Sequence, residues 1–288
     1  MIAGVTCRLC GDDSVPVWFK AWDHSIHACH KCNFMFALPL AKTQKLLYES
    51  DYYCEFIQRD KQADMLQFYS GILEELKRMT PGRRLLDAGC GVGGFLHFAE
   101  KSGWSVSGID ASETGVRYAV ETYHLDVALA DLNNYELPPN TYDVIWAFHI
   151  VEHLSDPIHF IRSAAAALKP NGIFYLGLPF YSRMRIRFHQ LLFSMGIANH
   201  PYSFNLPDHV SYFSRKTIHR VLSDVGLETI RAWLSAKMTL TEFSSTARQS
   251  GGMRKAIGSA MSPFEKMFGK LGQFQHINLI ARKRPPAI

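Results

Sequence analysis

The stretch Leu85–Phe95, LLDAGCGVGGF, runs from a short apolar strand through a glycine cluster into a helical pattern. It places Asp87, Gly89, Gly91, Gly93 and Gly94 between the two elements. Glycines at such a junction let the backbone turn tightly and approach a ligand closely. Gly89, Gly91 and Gly94 also fit the dinucleotide pattern G-x-G-x-x-G, and Asp110 ends the next strand where a ribose-binding acid would stand. The loop alone therefore leaves two ligand classes open. Asp87 separates them by charge. A pyrophosphate lies against such a loop and the helix N-terminus, and a carboxylate just before the first glycine would repel it. A zwitterionic amino-acid group beside a sulfonium would be attracted. Asp131, at the end of the third strand, is placed to accept from an adenine amino group. Three acids at three successive strand ends suit a cationic nucleoside without phosphates.

Short apolar runs and helical patterns alternate outward from this loop. Trp104–Asp110, Val127–Asp131, Tyr142–Ile150 and Gly172–Pro179 read as strands, as do Leu227–Leu234 and His276–Lys283. Ser112–Tyr123 reads as a helix with Ser112 as N-cap. Asp156–Pro170 reads as a helix with Pro157 in its first turn, and Arg215–Gly226 as another. Repeated strand–helix units imply an α/β fold with a parallel sheet covered on both faces. Upstream, Asp60–Met79 carries Met65, Phe68, Ile72, Leu73 and Leu76 near one helical face, and Thr80-Pro81-Gly82 ends it. Residues 39–81 thus form a helical bridge, with the large domain over 82–288.

The 288 residues are 47% hydrophobic and 20% charged, a globular composition long enough for a full core. The net charge of +5 is too weak to indicate nucleic acid and is compatible with an anionic substrate or membrane surface. Nothing approaches the roughly 18 apolar residues of a membrane span, and the N-terminus has no basic region followed by an apolar run. The expected location is cytoplasmic.

Four of the six cysteines fall in the first 32 residues as two knuckles, Cys7-x-x-Cys10 and Cys29-x-x-Cys32. That spacing suits one tetrahedral, structural zinc ion held by four thiolates. Residues 1–38 have too little core to fold alone, so the metal would supply the folding energy. His24, His27 and His30 lie nearby as possible substitutes for one cysteine. Arg8, Lys20 and Lys31 are balanced by Asp12, Asp13 and Asp23, which is no footprint for phosphates.

Two segments break the strand–helix rhythm, about 180–213 and 244–275, and both read as lids over the ligand crevice. The first contains 181–196, where Arg183, Arg185 and Arg187 alternate with apolar residues. It reads as a lid helix with a basic face, or as a peripheral contact with an anionic bilayer or lipid carrier. It also contains Asp208-His209, an acid–histidine pair that suits a general base near neutral pH. His149–His153, HIVEH, matches a zinc-protease string, but that string needs both histidines on one helical face. Here His149 ends a strand.

Asp87-Ala-Gly89-Cys-Gly91-Val-Gly93, then Asp110, Asp131-Leu132 and Tyr142–Pro157 together resemble class I S-adenosylmethionine-dependent methyltransferases. The resemblance implies a Rossmann-like seven-stranded sheet whose final strand is antiparallel, here preceded by the small zinc ribbon. It implies backbone contacts from Gly89 and Gly91 to the methionine part of the cofactor, with Asp87 and Gly93 also at the cofactor. Asp110 would hold the ribose hydroxyls, Asp131 and Leu132 the adenine, and His149 would lie near the methionine end. Glu152 and His153 would face the acceptor or stabilise the loop. The whole layout further resembles deoxysugar C-methyltransferases. By that resemblance His209 is the base, Asp208 the acid beside it, His153 a second active-site histidine, and Tyr52 or Tyr53 a substrate contact. Two positions depart: Leu206 replaces a tyrosine and Asp208 a glutamate.

The expected activity is methyl transfer from S-adenosylmethionine to an oxygen or carbon of a small-molecule acceptor, a sugar or glycan precursor. A lipophilic hydroxylated ring of quinone type is the second acceptor class. A zinc-ribbon module that senses the cofactor without catalysis is the third reading.

Overall fold

The structure is a computed structural model describing residues 5–21, 23–40, 63–181, 183–195, 208–235 and 276–285. The chain opens with three short strands, β1 (Val17–Ala21), β2 (His24–Ala28) and β3 (Met35–Leu38). Helix α1 (Ala63–Met79) follows, then β4 (Arg84–Ala88), α2 (Gly94–Lys101) and β5 (Ser105–Asp110). Next come α3 (Glu113–Tyr123), β6 (Val127–Leu129), β7 (Tyr142–Phe148), α4 (Pro157–Ala167) and β8 (Leu168–Pro179). The last elements are α5 (Arg183–Ser194), β9 (Ser211–Tyr212), α6 (Arg215–Asp224), β10 (Leu227–Ser235) and β11 (His276–Lys283).

Seven strands form one sheet in the order β10-β11-β8-β7-β4-β5-β6. The pairs among β4 to β8 are parallel, and β11 runs antiparallel between β8 and β10. Both sheet faces are buried because the strands are apolar at consecutive positions. Val144, Trp146, Leu85 and Tyr175 pack on the α1–α2 side, where Trp146 stacks on Tyr175 at 3.8 Å and on Phe95 at 4.2 Å. Ile145, Ala147, Leu86 and Phe174 face the opposite core, built with α4 and α6. Helices thus cover both faces, as the alternation implies.

Local signals explain several element ends. The Ser112 hydroxyl accepts from the Gly115 N–H and starts α3, and Asp156 accepts from His159 N–H with Pro157 in the first turn of α4. Helix α4 stops at Ala167, three residues short of the sequence reading. Leu168 is extended (φ −67°, ψ 138°) and Lys169 precedes Pro170, a position that disfavours helical backbone. Helix α1 buries Met65, Ile72, Leu73 and Leu76 as expected, with Tyr69 beside them. The rest of the expected bridge, 41–62, lies outside the described residues, as do Tyr52, Tyr53, Leu206 and the expected lid at 244–275.

The N-terminal ribbon is not a separate bead. Its strands form a four-stranded sheet, β1-β2-β3-β9, whose fourth member comes from the 180–213 insertion. Met35 pairs with Tyr212 and Phe36 with Ser211, and Ala37 N–H donates to Val210 O. Phe34, fully buried, lies 5.1 Å from Phe213. Arg183 donates to Cys29 O at 2.5 Å and Arg8 to Ser155 O at 2.8 Å. Arg183 is thereby committed to the ribbon, which removes one cation from the basic face expected for a membrane or lipid-carrier contact through 181–196. Among the described residues no helix is long and apolar enough to cross a membrane.

This shared core makes a thermodynamic prediction. Phe34→Ala should destabilise the chain by about 3–5 kcal/mol, and denaturant unfolding should remain one transition at lower midpoint. An early ribbon transition with an unchanged second one would show that the ribbon unfolds independently.

Candidate active site

Ligands in open α/β sheets bind beyond the carboxyl ends of the parallel strands, and the predicted cofactor residues converge on that edge. Gly89 (φ 82°), Gly91 (φ 54°) and Gly93 (φ 79°) all occupy the left-handed region that glycine adopts without strain. Two of them are also sterically committed. A Cβ on Gly89 would come within 2.7 Å of Ile150, and one on Gly93 within 2.9 Å of Ala119 Cβ. The glycine loop is therefore packed directly against the segment after β7 that carries His149, Glu152 and His153.

Asp110 is buried, and its carboxylate accepts from Gly91 N–H at 2.7 Å and Ser112 N–H at 2.8 Å. Burial raises its pKa, opposed by those amide donors. It fixes the loop and leaves further lone pairs for a ligand hydroxyl. Asp87 is buried on β4, in register with Gly108 of β5 and Trp146 of β7. Asp131 is exposed, and Oδ1 accepts from the Asn133 backbone and side-chain N–H groups, capping its own turn. Leu132 is buried. A polar cavity of about 290 Å³ lies beside Asp131, lined also by Asn133, Ser155, Leu40 and Val210. The glycine loop does not line it, so this cavity adjoins the cofactor edge without being that edge.

A second group of side chains gathers beside the loop. His149 has φ 56°, and its Nδ1 lies 3.0 Å from Glu152 Oε1. Glu152 is fully buried, and its backbone carbonyl accepts from both Val210 and Ser211 N–H, at 2.9 and 3.0 Å. His153 Nδ1 meets the carbonyl oxygen of Asp208 at 3.0 Å. The rings of His153 and His209 meet edge to face at 4.7 Å, and those of His149 and His276 at 4.5 Å. Burial lowers the pKa of His209 well below its ordinary value, helped by the neighbouring histidines. It lowers that of His153 too, and takes His276 to about 3. The same burial that keeps these imidazoles neutral makes their protonated forms harder to reach.

The expected Asp208–His209 carboxylate pair is not the one the geometry makes. His209 Nδ1 lies 2.9 Å from the hydroxyl of Tyr181, and Asp208 contributes its backbone carbonyl to His153. Sequence reasoning missed Tyr181 and His276. His276 had a readable signal: a final antiparallel strand inserted beside β8 must begin at the ligand edge.

The four N-terminal cysteines come together. Cys7 and Cys32 sulfurs lie 3.5 Å apart, as do those of Cys10 and Cys29, and all four are within 4.8 Å of one another. A tetrahedron with metal–sulfur bonds of about 2.3 Å has edges of about 3.8 Å, so the donor set fits a metal. Backbone N–H groups of Leu9 and Cys10 point at Cys7, and that of Phe34 at Cys32, which stabilises thiolate charge. His27 is not in this cluster; it sits on β2, bonded to Ser25 Oγ and stacked on Phe36.

The fold and site define a nucleoside-binding α/β domain, and comparison with known proteins gives its family. The model of the methyltransferase domain family matches residues 57–232, more than half of the chain. The chain belongs to that family and carries a class I S-adenosylmethionine-dependent methyltransferase domain. It is 34% identical over 129 residues to 27-O-demethylrifamycin SV methyltransferase of Amycolatopsis mediterranei (strain S699), covering 41% of this chain and 47% of that protein. It is 31% identical over 108 residues to the ubiquinone biosynthesis O-methyltransferase of Bordetella avium (strain 197N), covering 35% and 44%. The chain spans less than half the length of these relatives. Geranyl diphosphate methyltransferase, solved with its cofactor, shares the fold at a TM-score of 0.55 with 16% identity over 82% of this chain and 91% of that one.

Glu152 yields a pH prediction. Desolvation raises its pKa from 4.5 to about 7, partly opposed by His153. The folded protein then keeps a proton that the unfolded chain has released, so this contribution is full below about 4.5 and is lost as pH rises through about 7. The stability of the wild type relative to Glu152→Gln should fall between pH 5 and pH 8 by on the order of 3 kcal/mol. Urea unfolding at the two pH values measures it; an equal difference at both means that Glu152 holds no extra proton.

Proposed function

We propose that this chain transfers a methyl group from S-adenosylmethionine to a protonated oxygen or carbon of a small-molecule acceptor, a sugar or glycan precursor. The observation that carries the reading is the Asp110 carboxylate, anchored by Gly91 and Ser112 N–H at the end of β5 beside three left-handed glycines. Asp110 would hold the ribose hydroxyls, Asp131 and Leu132 the adenine end, and Gly89, Gly91, Asp87 and His149 the methionine end. When bound, the cofactor supplies an electrophilic methyl group on sulfur.

The protein's part is alignment and removal of one proton from the acceptor. His209, buried, is the preferred base and His153, half-buried, the rival, both held neutral by desolvation. The acceptor class rests on the resemblance of the ribbon and the acid–histidine segment to deoxysugar methyltransferases. A hydroxylated ring is the second reading, supported by the named acceptors of the rifamycin and ubiquinone relatives. Both classes present an acidic O–H or C–H that must lose its proton.

We also infer that Cys7, Cys10, Cys29 and Cys32 hold one structural zinc ion. A closed four-thiolate set offers no open position for chemistry.

Calorimetry should show S-adenosylmethionine binding, weakened by about 1.5–3 kcal/mol in Asp110→Ala, with no NAD binding; tight NAD binding alone would overturn the cofactor. Turnover should be sought with labelled cofactor against nucleotide sugars and hydroxylated rings. In His209→Ala it should drop by about 10²–10⁴-fold at unchanged cofactor affinity; if His153→Ala shows the drop instead, the roles exchange. Metal analysis should return one zinc per chain, and a Cys7→Ser protein with full zinc content would count against the ribbon site.

A further inference from the structure

His209 is held from two sides by tyrosines. Tyr181 OH lies 2.9 Å from its Nδ1, and Tyr212 OH donates to its backbone carbonyl at 2.5 Å. The two tyrosine rings meet edge to face at 4.8 Å. Both belong to one apolar cluster with Ile26, Ala28, Met35 and Ala37, which are ribbon residues of β2 and β3. Tyr181 N–H donates to Phe213 O, tying the end of β8 to the end of β9. The imidazole of the insertion is thus fixed from within the ribbon's own core, by a residue 28 positions away.

A neutral imidazole carries one hydrogen, and the partner of one nitrogen decides which nitrogen has it. A base needs its lone pair on the nitrogen opposite its orienting partner. Asp208 does not provide that partner, since its described contact is a carbonyl bond to His153. We propose that Tyr181 is the positioning residue of His209: the phenol oxygen accepts the Nδ1 hydrogen, which leaves Nε2 as the basic nitrogen, and the ribbon sheet holds Tyr181 in place. The inference deepens the reading of His209 as the base and rests on it. In the reaction the acceptor's proton moves to Nε2, and the resulting imidazolium keeps its Nδ1–H on the phenol oxygen. The methyl group would take that proton's place on the acceptor as its bond to the cofactor's sulfonium sulfur breaks, the bonding pair staying on sulfur as a neutral thioether.

The test is nitrogen NMR on the full, zinc-loaded chain with ¹⁵N-labelled histidine, the His209 signals being assigned by their loss in His209→Gln. In the wild type, Nδ1 should be protonated and Nε2 should carry the lone pair. In Tyr181→Phe the ratio of the Nδ1–H to the Nε2–H form should fall about 2- to 10-fold, the span of one neutral hydrogen bond. Cofactor affinity should be unchanged, because the phenylalanine ring still fills the cluster. A wild-type proton on Nε2, or an unchanged ratio in the variant, would overturn the proposal. The wild-type spectrum decides it even if the variant folds poorly. The tautomer is read without turnover, so failure of methyl transfer and failure of this assignment are separate results.

Discussion

The two-residue strand β9 carries more of this structure than its length suggests. On one side its backbone pairs with β3 of the ribbon. On the other, the Val210 and Ser211 amides converge on the single carbonyl of Glu152, and Ser211 Oγ donates to Leu154 O. All these groups are buried, where an unpaired amide or carbonyl is costly. The strand therefore cannot shift without exposing several polar groups at once. This constraint joins the ribbon to the segment after β7, and it fixes where His209 and His153 meet.

The same segment is held from the glycine loop. Ile150 fills the space that a Cβ on Gly89 would need, and Asp110 gathers the amides of Gly91 and Ser112. The glycine loop and the histidine group are thus neighbours by packing. A buried carboxylate that spends part of its capacity on its own loop is preorganised: the loop already has the shape in which the remaining lone pairs can meet a ligand. The cluster of neutral histidines follows from the same burial, since desolvation disfavours the charged imidazolium.

Much of this was legible because the signals are local. Strand alternation with helical segments marked the sheet, the caps at Ser112 and Asp156 marked helix starts, and the spacing of Cys7, Cys10, Cys29 and Cys32 marked the knuckles. The placement of Asp87 and Asp110 was legible because strand ends map to one edge of a parallel sheet. What sequence reasoning could not supply was long-range. Nothing near Ser211 says that it will pair with Phe36. Nothing about Asp208 says that its carbonyl, and not its carboxylate, will meet an imidazole. Proximity in sequence favours Asp208 as the partner of His209, whereas the partner is a tyrosine 28 residues earlier, on the far side of α5. The sequence pattern carries α4 three residues too far because alanine-rich helical propensity runs on past the point where the pre-proline backbone turns extended.

The pairing of β3 with β9 also has a temporal side. The two strands are separated by more than 170 residues, and at roughly 5–20 residues per second a ribosome needs about 10–30 s to deliver the second after the first. During that interval β3 emerges as an unpaired edge with Phe34 and Phe36 uncovered. Such edges and exposed rings are what nascent chains aggregate through. Capture of a metal ion by the two cysteine knuckles needs only the first 32 residues. Together with the pairing of β1, β2 and β3 among themselves, the proposed metal capture would hold the ribbon while β9 is still being synthesised.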